Sequence, residues 1–289
     1  MDQNINNLWV SVQNHSRCFE QLSFVYPVIS RRSRGLSLGV NLNPDKVCNY
    51  NCVYCEVDRK SPGKILTPQP QIIYNELNNL VGMVRSGEIK NNPLFKDCSF
   101  LASEIKDFAF SGDGEPTLVK NFDQFVKAVA QVRTENKLFS TKIILITNAS
   151  CLNRADVKLG IEIMDQNNGE IWGKLDAGTE RYHKLINRTN VSLGRTITNL
   201  TSIARCRPIV IQSMFLKCRG QKISNEELEA YCARLTEILK QGGKIKEVHA
   251  YTIARRPAES WVQQLSLDEL NSIADIIRDR TNLMVYVFP

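Results

Sequence analysis

The chain has 289 residues, with 37 Lys plus Arg against 30 Asp plus Glu, a formal charge of +7, and 43% apolar residues. That composition excludes a disordered chain, and the lack of any apolar run of about 18 residues excludes a membrane-spanning helix. The opening MDQNINNLWVSVQNHSR has no basic-then-apolar order of the secretory kind, so a cytoplasmic protein with no membrane partner is expected.

In chain order, residues 1–30 read as an N-terminal extension and 31–289 as a single domain. A basic cluster, Arg31, Arg32 and Arg34, precedes the first predicted strand, LSLGVNL over 36–42. SPGKILTPQPQ (61–71) reads as a loop, and a helix is predicted over 72–87, with Ile72, Leu77, Leu80 and Val84 near one face and Gly87 as its stop. A strand over 107–111 runs into the turn Ser111-Gly112-Asp113-Gly114-Glu115-Pro116-Thr117. A helix over 122–133 and a strand over 142–148, ending on Asn148, come next. Further strands are predicted over 170–177, 208–217, 247–253 and 283–288. The helices over 224–243 and 266–280 open on the capping boxes Ser224-x-x-Glu227 and Ser266-x-x-Glu269. Repeated strand-then-helix order, with several strands continuously apolar, predicts an α/β fold with a mainly parallel sheet. A barrel or partial barrel fits this order; a doubly wound open sheet is the alternative.

Nine cysteines, an odd number in a chain expected in the cytoplasm, argue against a disulfide framework. Cys18, Cys98, Cys151, Cys206, Cys218 and Cys232 are scattered and read as packing residues. Cys48, Cys52 and Cys55 form a cluster directly after the first predicted strand, where a parallel α/β sheet builds its sites. Thiolates at that spacing suit zinc or an iron–sulfur centre. A closed zinc site wants a fourth ligand, and the three histidines show no matching spacing. In an iron–sulfur centre, three cysteines leave one iron open to another ligand.

Other candidates are less specific. Gly112 and Gly114 allow close backbone approach, with Asp113 and Glu115 as acids, although a plain turn has the same composition. Asn148 is a ligand contact or a turn former. Lys174 and Asp176 share one strand face by the period of two, as a site pair or as a structural ion pair. Gln212 and Ser213 interrupt an apolar strand and are candidates to line a pocket. Arg255 and Arg256, with Arg31, Arg32 and Arg34, are candidate contacts to an anionic substrate or solvated loop charge.

Cys48-x3-Cys52-x2-Cys55, with Tyr54 before the last cysteine, resembles the signature of the radical S-adenosylmethionine (radical SAM) superfamily. The Gly112-Asp113-Gly114-Glu115-Pro116 turn is similar to that superfamily's glycine–glycine–glutamate motif. From about Tyr26 onward, YPVISRRSRGLSLGVNL, KLDAGTERYHKLINR (174–188) and YTIARRPAESWV (251–262) look like the wyosine-synthase-like iron–sulfur oxidoreductases. The resemblance implies a partial (β/α)6 TIM-like barrel. It implies a 4Fe-4S cluster on Cys48, Cys52 and Cys55, and S-adenosyl-L-methionine chelating the open iron beside Tyr54 and the glycine turn. It also implies a reductase or flavodoxin-type electron donor. The substrate it suggests is a tRNA or RNA base, with a peptide, a protein or a small metabolite as the alternative. A non-catalytic iron–sulfur or zinc module is the rival class. The wyosine-forming enzymes carry extra cysteines upstream of the triplet; here only Cys18 lies upstream, which sets the wyosine reaction itself apart.

Overall fold

The computed structural model describes residues 19–93, 95, 100–255 and 257–289, so Arg256, Cys18 and Cys98 lie outside the described residues. Two compact units emerge. The first runs to Val47 and takes in Pro62–Leu145 and Arg154–Glu170; the second comprises Cys48–Ser61, Ile146–Asn153 and Ile171–Pro289. Among the described residues no helix is long and apolar enough to cross a membrane.

In the first unit, β1 (Val25–Ser30) and β2 (Gly35–Val40) form an antiparallel hairpin, with Val25 opposite Val40 and Ser30 opposite Gly35. β3 (Ile105–Phe110) runs parallel to β2, and β4 (Lys142–Thr147) pairs parallel to β3 through Lys142–Leu145. Every residue of β2 is buried, as its continuous apolar run predicts. β1 lies within the span read as an N-terminal extension and was not among the predicted strands. Its Pro27 is tolerated because β1 is an edge strand. The carboxylate of Glu76 accepts bonds from the backbone N–H groups of Ser23, Phe24 and Val25 at 2.8–3.0 Å, fixing where β1 begins.

Helices α1 (Pro70–Ser86), α2 (Phe122–Glu135) and α3 (Ala155–Asp165) belong to the same unit. α1 starts with proline in its first turn and ends on Gly87, whose φ of 79° is left-handed. α3 was not predicted, because Gly160 interrupts its apolar periodicity. A Cβ at Gly160 would lie 2.8 Å from the Phe122 ring, so glycine lets α3 sit against the start of α2.

In the second unit, β5 (Gly169–Lys174), β6 (Ile209–Met214), β8 (Ile245–Tyr251) and β10 (Val285–Phe288) pair in parallel. The run predicted as one strand over 208–217 is broken: after β6 the chain turns, and β7 (Lys217–Cys218) pairs antiparallel with β9 (Val262–Gln263) in a separate ribbon. In hydrogen-bonded order the strands read β1-β2-β3-β4 in the first unit and β5-β6-β8-β10 in the second.

The second unit's helices are α4 (Glu180–Asn187), α5 (Leu193–Cys206), α6 (Asn225–Lys240) and α7 (Leu267–Thr281). The first two were not predicted. α4 is only eight residues long, and α5 is rich in Thr and Ile, which favour strands. Caps decide both: Thr179 and Ser192 each accept the N–H of a first-turn residue. α7 carries the complete capping box of Ser266 and Glu269; at α6 the Ser224 half is seen, while the Glu227 carboxylate bonds Gly178 and Thr179.

Candidate functional site

The loop 48–55 is tied down along its length within the second unit. Asn49 donates to Ser150 Oγ at 2.9 Å and accepts from Asn148 Nδ2 at 2.8 Å, while Thr189 Oγ1 donates to the Asn49 carbonyl at 2.9 Å. The backbone N–H groups of Asn51 and Val53 donate to the carbonyls of Asn187 and Ile186, at 3.0 and 2.9 Å. The last carbonyls of a helix have no partner within it, and here the cysteine loop supplies one. Asn148 thus serves as both turn and clamp: its Oδ1 accepts from Ser150 N, and its amide holds the loop.

Cys48, Cys52 and Cys55 are half-buried cysteines outside any disulfide. Val53 and Tyr54 of the same loop enter an apolar cluster with Ile186, Met214, Leu216, Ile253 and Val262, and Cys52 packs against it. Desolvation there pushes the Cys52 thiol up to about 12, against the smaller pull of Lys174. That thiol therefore stays protonated until a metal displaces the proton.

Asp176 is the hub beside it. Its Oδ2 accepts from the Tyr54 hydroxyl and, at 3.0 Å, from Asn187 Nδ2; its Oδ1 accepts from Met214 N at 2.9 Å and lies 3.5 Å from Lys174 Nζ. The Lys174 ammonium bonds the Tyr251 hydroxyl and sits over the rings of Tyr54 and Tyr251, 5.0 and 5.1 Å from their centroids. Burial works against its charge, but Asp176, then Tyr251 and Cys52, outweigh that and hold it above the usual lysine range. Burial, with Asp176 next, likewise holds the Tyr54 phenol well above its usual range. Lys174 is accordingly a fixed cation, not a neutral nucleophile. The expected pairing of Lys174 with Asp176 is present as an ion pair.

Gln212 lies beside Lys174 in register and on the same face, and its buried amide nitrogen has no hydrogen-bond partner among the described residues. Ser213 is a correction. As the next residue along β6 it points to the opposite face, where its hydroxyl donates to the Leu175 carbonyl and meets the Tyr231 hydroxyl of α6. It lines no pocket with Gln212. Arg255 is engaged by Glu56, with Nε donating at 2.6 Å. Arg256 lies outside the described residues.

In the first unit, the glycine turn packs on the segment 41–47, which leads in the chain to Cys48. A Cβ at Gly112 would lie 2.2 Å from Asn41 Oδ1, and one at Gly114 would lie 1.9 Å from the Val47 carbonyl oxygen. Asn41 bonds Asp113 through both side-chain ends, and Glu115 N donates to Val47 O at 3.3 Å. The Glu115 carboxylate accepts from Thr117 N and Thr117 Oγ1 at 3.2 and 2.5 Å, opening a short 3-10 turn. The close approach that these glycines permit is thus to the chain's own strand-to-cysteine segment. Gly114→Ala is expected to destabilise the protein by about 1–3 kcal/mol, because the clash is with backbone that no rotamer change relieves; urea denaturation measures it.

Arg31, Arg32 and Arg34 lie between β1 and β2. The β1–β2 hairpin reverses the chain, so residues 31–34 lie at the N-terminal end of β2, and the glycine turn packs beyond its C-terminal end. Six strand residues separate the ends by about 20 Å, so the three arginines do not join that turn.

The cysteines fit a cluster on two observations. Each of two thiols receives an N–H: Tyr50 N lies 3.5 Å from Cys48 Sγ, and Asn187 Nδ2 lies 3.4 Å from Cys52 Sγ. Such bonds and an apolar shell are how proteins support iron–sulfur thiolates. Among the described residues no group of three His, Cys, Asp or Glu side chains is arranged to hold a metal ion as it stands.

No family model matches the chain. It is 25% identical over 248 residues to a GTPase Obg of Brachyspira hyodysenteriae, covering 84% of this chain and 32% of that protein. It is 32% identical over 170 residues to a UPF0026 protein of Methanocaldococcus jannaschii, covering 58% and 44%. The chain therefore spans less than half the length of these two relatives. Among solved structures it resembles TYW1 with a lysine-pyruvate adduct bound (TM-score 0.54, 15% identity, 84% of this chain and 73% of that one). It also resembles Streptococcus suis SuiB bound to S-adenosylmethionine (TM-score 0.54, 14% identity, 89% and 48%). The chain shares the fold of these two proteins. That α/β partial barrel is the class predicted from the strand–helix order, and the doubly wound alternative falls.

Sequence reasoning missed three residues around the cysteine loop: Asn187, Tyr251 and Asn49. Asn49 lay in plain view inside the triplet. The other two carry no local signal, because they reach the site from a helix and a strand distant in sequence.

Proposed function

We propose that the protein is a radical SAM enzyme holding a 4Fe-4S cluster on Cys48, Cys52 and Cys55. What carries this reading is a hydrogen-bonded loop presenting three half-buried cysteines outside any disulfide, in a fold shared with a protein whose structure contains S-adenosylmethionine. When bound, the reduced cluster supplies the electron that splits S-adenosylmethionine into methionine and a 5′-deoxyadenosyl radical, which then abstracts hydrogen from a substrate. The chain's own residues position and shield. Asn49, Asn148 and the end of α4 hold the loop; Val53, Tyr54 and Met214 keep water from it. Lys174 offers a fixed positive charge, and Gln212 an uncommitted amide beside it, to a polar group of cofactor or substrate. Anaerobic reconstitution tests the reading: about four irons per chain and SAM-dependent 5′-deoxyadenosine support it. One zinc per chain, with neither, overturns it in favour of a binding module.

For the substrate, one surface favours a phosphate-bearing molecule such as tRNA over a peptide. A groove of about 760 Å³ beside the cysteine loop is lined by Asn49, Lys184, Arg188, Asn190, Ser192 and Arg195. Arg188 is paired with Glu259 at 2.5 Å and Lys184 lies 3.9 Å from Glu180, while Arg195 makes no ion pair among the described residues. Lys184→Ala and Arg195→Ala are each expected to weaken tRNA binding and to flatten its salt dependence by about one unit of log–log slope. Filter binding across a salt series reads this out, and unchanged slopes remove the groove from the substrate path.

A further inference from the structure

We infer that Asn187 is a positioning residue for the thiolate of Cys52, and that its side-chain amide sets the reduction potential of the cluster proposed above. The inference rests on that cluster assignment. Asn187 closes α4 and is 1% exposed. Its backbone carbonyl accepts Asn51 N, and that of the residue before it accepts Val53 N, so the helix end grips the loop on both sides of Cys52.

The side chain then reaches the sulfur between them. Nδ2 carries two hydrogens and has two strong acceptors, Asp176 Oδ2 at 3.0 Å and Cys52 Sγ at 3.4 Å. The Tyr54 oxygen is 3.3 Å away, but that hydroxyl gives its own hydrogen to Asp176. The orientation of the amide follows from its neighbours. Turned over, it would aim its oxygen at a carboxylate and at a sulfur, both electron-rich. Asp176 therefore acts on Cys52 through Asn187, by fixing which end of the amide faces the thiol.

The consequence is electrostatic. Reducing an iron–sulfur cluster adds negative charge that is shared by its thiolates. A donor N–H aimed at one of them stabilises the reduced form more than the oxidised form, and so raises the potential. Without that donor the cluster is harder to reduce.

The test compares wild type with Asn187→Leu and Asn187→Ser, each reconstituted anaerobically and titrated with dithionite under electron paramagnetic resonance. Leucine removes the donor and enlarges the side chain; serine shrinks it, and its hydroxyl ends one atom short of the position of Nδ2. Both variants are expected to hold four irons, to show a lower midpoint potential, and to lose an exchangeable proton coupling seen in wild type. A merely structural role would not move potential and coupling together in two variants of opposite packing effect. Loaded variants that keep the wild-type potential and coupling overturn the assignment. If wild type itself assembles no cluster, the proposed function fails, and this inference fails with it for that separate reason. If one variant does not load, the other decides.

Discussion

Cys52→Ala is expected to leave the protein folded but unable to keep an iron–sulfur cluster. Iron should fall from about four per chain to a fraction of one after gel filtration, because two cysteines do not hold three corners of a cube. SAM-dependent 5′-deoxyadenosine should drop to the level of protein-free controls. The matched control is Cys206→Ala. Cys206 is exposed at the end of α5, and among the described residues its thiol bonds only the Ser202 carbonyl. Its loss should shift stability by no more than about 0.5 kcal/mol and leave iron content unchanged. Iron and colour retained in Cys52→Ala would contradict the ligand assignment. Equal losses in both variants would point to a general sensitivity of the protein.

Asp176→Ala is expected to cost the most stability. Asp176 is 3% exposed and answers four groups at once: the Tyr54 hydroxyl, the Asn187 amide, Met214 N and the Lys174 ammonium. Removing it leaves a largely buried ammonium without its counter-charge, at about 3–5 kcal/mol. The double variant Lys174→Met plus Asp176→Ala should recover part of that loss, because the uncompensated charge goes with its partner. Guanidinium denaturation of the three proteins gives the comparison. A double variant less stable than Asp176→Ala would mean that Lys174 contributes chiefly through its contacts with the Tyr54 and Tyr251 rings. Asp176→Ala should also impair loading, since the Tyr54 and Asn187 it holds belong to the cysteine loop's surroundings.

Much of this fold was legible because its strands are chemically uniform. β2 and β6 are buried at every residue, and their Leu, Val and Ile residues, broken only by small or polar ones, announce that. The cysteine triplet and the glycine turn were legible because their spacing is local. What could not be read depends on distance. Whether Gly114 faces a ligand or a carbonyl of its own chain is settled only by where Val47 lies. The two polar residues of β6 looked equivalent in sequence, yet the pleat sends Gln212 and Ser213 to opposite faces. The three arginines stood close to the cysteines in sequence, and a hairpin carried them to the other end of β2. α4 and α5 were hidden because their short or β-branched sequences rely on Thr179 and Ser192 to start them, and on packing to keep them. The end of α4 contributes Asn187, so missing the helix meant missing the residue.

The grip of α4 on the loop also bears on how a cofactor would be taken up. A segment whose backbone amides are already spent on a helix end has surrendered most of its freedom before any iron arrives. Zinc-finger-like proteins fold around their metal and draw on its binding energy to order the chain. Here that entropic debt is settled by the polypeptide alone, through Asn51, Val53 and Asn49. Loading then resembles filling a mould more than winding a thread, and its pace is set by the supply of iron and sulfide and by the release of the Cys52 proton.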